Sequence, residues 1–160
     1  MAAPDERTPV VCDTCVIINF MRIDHFDLLR RHRTYRIIIT NHVREEITNK
    51  NQSAILDEAL QSGDIAQVEL TSPDELTIYA HLRAFLGKGE AATIAAAQSR
   101  EYLIACDELR RTRREILSRL GAARLLTSPD IIKTCVLNGM LSERDGGELK
   151  GRLAYAPEET

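Results

Sequence analysis

The chain has 160 residues, of which 44% are apolar and 28% charged, with a formal net charge of -3. That balance suits one compact globular domain, and no run approaches the ~18–20 apolar residues that a membrane helix needs. The opening MAAPDERTPVV lacks the charged-then-apolar order of a signal peptide, and four cysteines without disulfide-rich spacing read as reduced thiols, so a cytoplasmic protein is expected.

Short apolar runs alternate with amphipathic segments along the chain, which predicts βαβ units around a mostly parallel sheet. Residues 9–18 (PVVCDTCVII) begin as a buried strand, and Phe26, Leu28 and Leu29 mark a short helix. Residues 35–39 (YRIII) form a second strand, with Thr40 or Asn41 as the cap of the helix that follows. Residues 53–61 read as helix, Gly63-Asp64 as a turn and residues 65–70 as a short edge strand. Ser72, Pro73, Asp74 and Glu75 open a further helix with cap, proline and acids in their preferred places, and Gly87-Lys-Gly stops it. An alanine-rich helix runs over 90–99, a strand over 102–106, a helix over 108–120 and a last strand over 123–126. Ser128-Pro-Asp caps a final helix to about residue 138, and Gly146-Gly147 with Pro157 predicts a loose tail.

Two acids, Asp13 and Asp107, stand where strands end, and two more, Glu46 and Glu90, stand on helices just after a strand or turn. In an open parallel sheet, the carboxyl ends of the strands share one edge where ligands gather, so the four carboxylates can converge there. Crowded carboxylates repel unless a cation sits among them, and a hard divalent ion such as Mg²⁺ takes oxygen ligands together with substrate phosphates. Each acid also has a plainer explanation. A residue after a strand is often a turn or cap, Glu46 and its neighbour Glu45 could both be solvated, and Glu90 suits a helix N-terminus through the dipole. Asp13 is the exception, because it lies within an apolar run where an unpaired charge is costly. None of the four histidines has a partner at ligand spacing.

The motifs that carry these acids resemble the PIN-domain family, most closely its small prokaryotic toxin-like members. VVCDTCVIINF is similar to the family's opening strand, HVREEI to its second motif, and LGKGEAATIAAA to a Leu-Gly-x-Gly-Glu-Ala segment of one subgroup. LIACDELRRTRRE resembles the fourth motif, with Cys106 in place of the first residue of an Asp-Asp pair and Arg111 in the basic position. The resemblance spans 9–141 as a nuclease domain and leaves 142–160 as a tail, weakly structured or partner-docking.

It implies a three-layer α/β/α sandwich and a divalent-metal-dependent endoribonuclease using Mg²⁺ or Mn²⁺. Asp13, Glu46, Glu90 and Asp107 would be its catalytic and metal-binding acids, with Thr14 offering a hydroxyl nearby. An RNA substrate, an antitoxin protein and a homodimer are the partners it implies. The alternative is a degenerate PIN domain that binds RNA or protein without cleaving. A response-regulator-like module would need paired aspartates after the first strand, where only Asp13 stands.

Several features remain. Arg110, Arg111, Arg113, Arg114 and Arg119 crowd one segment and Arg30, Arg31, Arg33 and Arg36 another, so phosphate can be attracted locally although the chain is acidic. Any single arginine is equally explained as part of a solvated face, but Arg111 is the best candidate for phosphate. Lys88, two residues before Glu90, could touch phosphate or be a turn lysine. Asn19 could turn toward the acids or cap a helix. Cys12-x-x-Cys15 has no second pair to complete a zinc site, and the strand order of the resembled family would place Cys12 near Cys106 as a pair of buried thiols.

Overall fold

A computed structural model describes residues 5–154. Its organising element is strand β1 (Thr8–Cys12), whose Val10, Val11 and Cys12 are completely buried. β1 pairs in parallel with β2 (Tyr35–Thr40) on one side and with β4 (Leu103–Ala105) on the other. β3 (Ala66–Val68) adds to β2 and β5 (Leu125–Leu126) to β4, giving the order β3-β2-β1-β4-β5. Every pairing is parallel. A parallel sheet is covered on both faces, which is why VVC and III are continuous apolar runs rather than alternating ones.

The pleat divides the core in two. Val10, Cys12, Ile37, Ile39 and Ala105 face one layer, while Val11, Ile104 and Cys106 face the other. The first layer is filled from α1 (Thr14–Arg22), α2 (Asp27–Arg30), α3 (Asn41–Glu46), α4 (Lys50–Ser62), α8 (Ser128–Leu137) and α9 (Glu143–Ala154). The second is filled from α5 (Pro73–Leu82), α6 (Lys88–Arg100) and α7 (Arg111–Arg119). In α6 every residue from Ala91 to Ala97 is buried, and the alanines bring that helix close to the sheet. The architecture is the three-layer sandwich expected. Among the described residues no helix is long and apolar enough to cross a membrane.

Local chemistry explains where elements start. The Asp13 carboxylate accepts the Thr14 amide and caps α1, so Val16, Ile17 and Ile18 enter a helix instead of extending the first strand. Their apolar side chains are still used, because Val16 and Ile17 are fully buried. Thr40 caps α3, and Ser72 and Glu75 form a complete capping box with Pro73 in the first turn of α5. α6 begins at Lys88, which makes Glu90 its third residue. α7 starts at Arg111, later than expected, because the Glu108 side chain takes the amides of Arg110 and Thr112. A 3-10 turn (Ala122–Arg124) replaces the start of the last expected strand. Thr127, not Ser128, caps α8.

The tail differs from its sequence reading. Glu143–Ala154 is a helix, with Leu149 buried against the first core layer and Leu153 partly so. Gly146 is buried, and a Cβ there would strike Val136 of α8. It is therefore a close-approach glycine between two helices and not a sign of looseness. Pro157 lies outside the described residues.

Candidate metal centre

The strand order reverses direction at β1, since β2 lies to one side of it and β4 to the other. Such a reversal opens a crevice at the carboxyl ends of the two central strands. Asp13 directly follows β1 and Asp107 is the second residue after β4, so both stand at this crevice. Glu46 ends α3, which is short enough to remain at the same edge, and Glu90 lies in the first turn of α6.

Each acid is held by neutral donors. Asp13 is 4% exposed, and its Oδ1 accepts the Thr14 amide at 2.8 Å. Its Oδ2 lies 3.6 Å from the thiols of both Cys15 and Cys106. The Thr14 hydroxyl donates to Glu46 Oε2 at 2.6 Å, while Glu46 Oε1 accepts the Gly89 amide at 2.8 Å. Asp13 and Glu46 are thus joined through one threonine, and Glu46 leans on the residue beside Glu90. A Cβ at Gly89 would fall 2.7 Å from the Glu46 carboxylate carbon, so only glycine admits this contact unchanged. Glu90 accepts from the Thr112 hydroxyl. Asp107 accepts from Asn19 Nδ2 and the Ser128 amide, each at 2.7 Å, and from the Ser128 hydroxyl.

Among the described residues, no lysine or arginine forms an ion pair with any of the four acids. Burial above all, then the charges of Glu90 and Glu46, push the Asp13 carboxyl up to about 7. A buried acid facing other acids without a cation is the arrangement a divalent ion relieves. Asp13, Glu46 and Glu90, with Asp107 at the same edge, are the residues that could hold such an ion through oxygen.

The chain matches the family model for a PIN domain over residues 9–125. It belongs to the PIN-domain family. Among solved structures, this PIN domain is similar to a chain in the crystal structure of VapBC2 from Rickettsia felis bound to a DNA fragment from their promoter. The likeness has a TM-score of 0.50 at 13% identity and covers 75% of this chain and 98% of that one, so it bears on the fold alone. No curated protein matches the sequence.

Several residues that shape the crevice of this PIN domain were weak or silent in the sequence. Asn19 was open between two roles, and it holds Asp107. Ser128 read as a helix cap, and with Thr127 capping instead, Ser128 holds Asp107 too. Thr112 gave no signal at all, because its position depends on the folded path between β4 and α7. Arg111, the best phosphate candidate, and Lys88, open between phosphate contact and turn lysine, are exposed first residues of α7 and α6. The expected Cys12–Cys106 thiol pair does not form. Cys12 is opposite Ala105 in the register, so Cys106, one residue on, points to the other face of the sheet. Its sulfur neighbour is Cys15, and the donor atoms of Asp13, Cys15 and Cys106 all lie within 4.8 Å of one another.

Proposed function

We propose that this PIN domain is a divalent-metal-dependent endoribonuclease and the toxin of a toxin–antitoxin pair. The observation that carries the reading is the buried Asp13 carboxyl, joined to Glu46 through Thr14, facing Glu90, and with no cationic side chain paired to it. Asp13, Glu46, Glu90 and Asp107 would hold Mg²⁺ or Mn²⁺. When bound, such an ion supplies positive charge that makes a water acidic and offsets charge on a departing phosphodiester oxygen.

The chain's own groups do the positioning. Thr14 and Gly89 fix both oxygens of Glu46, Thr112 fixes Glu90, and Asn19 with Ser128 fixes Asp107. Locked carboxylates of this kind keep their geometry when substrate arrives. Arg111 and Lys88, exposed at helix starts beside the crevice, would contact RNA phosphates, arginine through its bidentate fork. By analogy with the Rickettsia felis VapBC2 complex that contains a chain of similar fold, an antitoxin protein would be the partner of this chain.

A pair of adjacent glutamates tests the assignment. Glu45 and Glu46 are about 100° apart on α3, and Glu46 alone reaches Thr14 and Gly89. Glu46→Gln should abolish Mg²⁺- or Mn²⁺-dependent cleavage of RNA, while Glu45→Gln keeps most of the wild-type rate. Both variants should keep the wild-type circular dichroism spectrum. Full activity in both would remove Glu46 from the site.

A further inference from the structure

The closest-packed set of metal-ligating atoms in the crevice is not all oxygen. Asp13, Cys15 and Cys106 come from two strand ends and the first turn of α1, and their donor atoms converge within 4.8 Å. The two sulfurs each lie 3.6 Å from the same carboxylate oxygen, Asp13 Oδ2. For tetrahedral zinc with Zn–S near 2.3 Å and Zn–O near 2.0–2.2 Å, the sulfur–oxygen edge is about 3.5–3.7 Å. The two sulfur–oxygen separations match such an edge and the sulfur–sulfur separation is within 4.8 Å, so small shifts would let the three ligands close one face of a tetrahedron and leave the fourth position open.

The surroundings fit as well. Asp13 Oδ1 is held by the Thr14 amide, which leaves Oδ2 aimed at the sulfurs. The Asp107 amide lies 3.5 Å from the Cys15 sulfur and points its N–H at it. Asp13 and Cys106 are buried while Cys15 is half-buried, so a cation would arrive from the Cys15 side.

We infer that Asp13, Cys15 and Cys106 form a site for a thiophilic divalent cation such as Zn²⁺, which competes with the hard-ion centre for Asp13. Two Zn–S bonds form as two thiol protons leave for solvent, with no change in oxidation state. Mg²⁺ gains little from sulfur, whereas zinc accepts thiolate and carboxylate together. Zinc bound here occupies the Asp13 oxygen that the nuclease centre needs, so it acts as an inhibitor. Binding of zinc at the three ligands stands apart from the nuclease reading, whereas its inhibitory role rests on that reading.

Cadmium is the probe, because sulfur-to-cadmium charge transfer gives an ultraviolet band that oxygen ligands do not. Titrating Cd²⁺ into the reduced, metal-free full chain should raise this band to saturation at one equivalent. Cys15→Ser and Cys106→Ser should each abolish saturation at one equivalent, while Cys12→Ser and Cys135→Ser keep it. Zn²⁺ should also protect Cys15 of the wild-type chain from alkylation by iodoacetamide, a measurement that needs no buried variant to fold. No band in the wild type, a band surviving Cys15→Ser, or unchanged Cys15 alkylation would each overturn the site. Failure of the nuclease reading would show elsewhere: RNA cleavage would survive Glu46→Gln, a variant that leaves the cadmium band intact.

Discussion

Asp13→Asn, studied without divalent ions, should make the protein more stable, and only above acidic pH. The folded chain holds the Asp13 carboxyl near 7 against an ordinary 3.8, chiefly because burial disfavours its charge. An acid whose pKa rises on folding contributes stability that is complete below the unfolded value and is lost as pH climbs through the folded one. The loss runs from about pH 4 to pH 7. A separation of roughly three pH units corresponds to about 4 kcal/mol at an upper bound, or about 1.4 kcal/mol per pH unit in that window. Asparagine keeps an oxygen for the Thr14 amide and carries no charge. The assay is urea unfolding in a chelator at several pH values, comparing wild type with Asp13→Asn so that other carboxylates cancel. The two should agree at pH 4 and diverge by a few kcal/mol in favour of Asp13→Asn at pH 8. Saturating Mg²⁺ should restore the wild type at pH 8 and do little for the variant, since the ion stabilises only the state that binds it. Parallel curves from pH 4 to pH 8 would refute the buried, uncompensated carboxylate on which the metal argument stands.

Gly89→Ala should displace the exposed Glu46 carboxylate with less than about 1 kcal/mol of change in stability, since that side chain can swing away, yet lower cleavage about a hundredfold. A variant as active as wild type would show that the Gly89–Glu46 contact does not matter. Arg111→Ala should weaken RNA binding and flatten its dependence on log salt by about 0.7 for a single strand, measured by fluorescence anisotropy. An unchanged slope would leave Arg111 as a solvated residue. Leu149→Ala should cost roughly 2–4 kcal/mol in urea unfolding if α9 is docked as described, whereas a loss below about 0.5 kcal/mol would detach that helix from the core.

Much of the fold was legible because it is written in local patterns. Ser72-Pro-Asp-Glu signals a helix start by its own hydrogen bonds, and YRIII between polar segments can only be a buried strand. Val16, Ile17 and Ile18 misled, since β-branched residues favour strands until a cap such as Asp13 commits them to a helix that packing then rewards. Gly146 misled for a related reason. A glycine at a helix–helix contact and a glycine in a loose tail look alike until Val136 is placed opposite. The chemistry-bearing acids could be named because their motifs are contiguous. Their supports could not, since Asn19 meets Asp107 across 88 residues and Cys106 meets Asp13 across 93. The Cys15–Cys106 proximity depends on which face each residue takes, and a single residue of register reverses that.

Those long spans govern when the protein becomes dangerous to its host, if it is the nuclease proposed. During synthesis β1 is made first, yet its second neighbour β4 and the Asp107 side of the crevice are made about ninety residues later. Ser128, which holds Asp107, emerges later still. Closing so long a loop is slow compared with forming the local helices, so the crevice is among the last features to assemble. A chain ending before residue 103 has the partners for β1–β2–β3 pairing but lacks β4, Asp107 and Ser128. The central position of β1 thus sets the order of assembly: on the proposed reading, the crevice is complete only when β4 and Ser128 have joined the sheet.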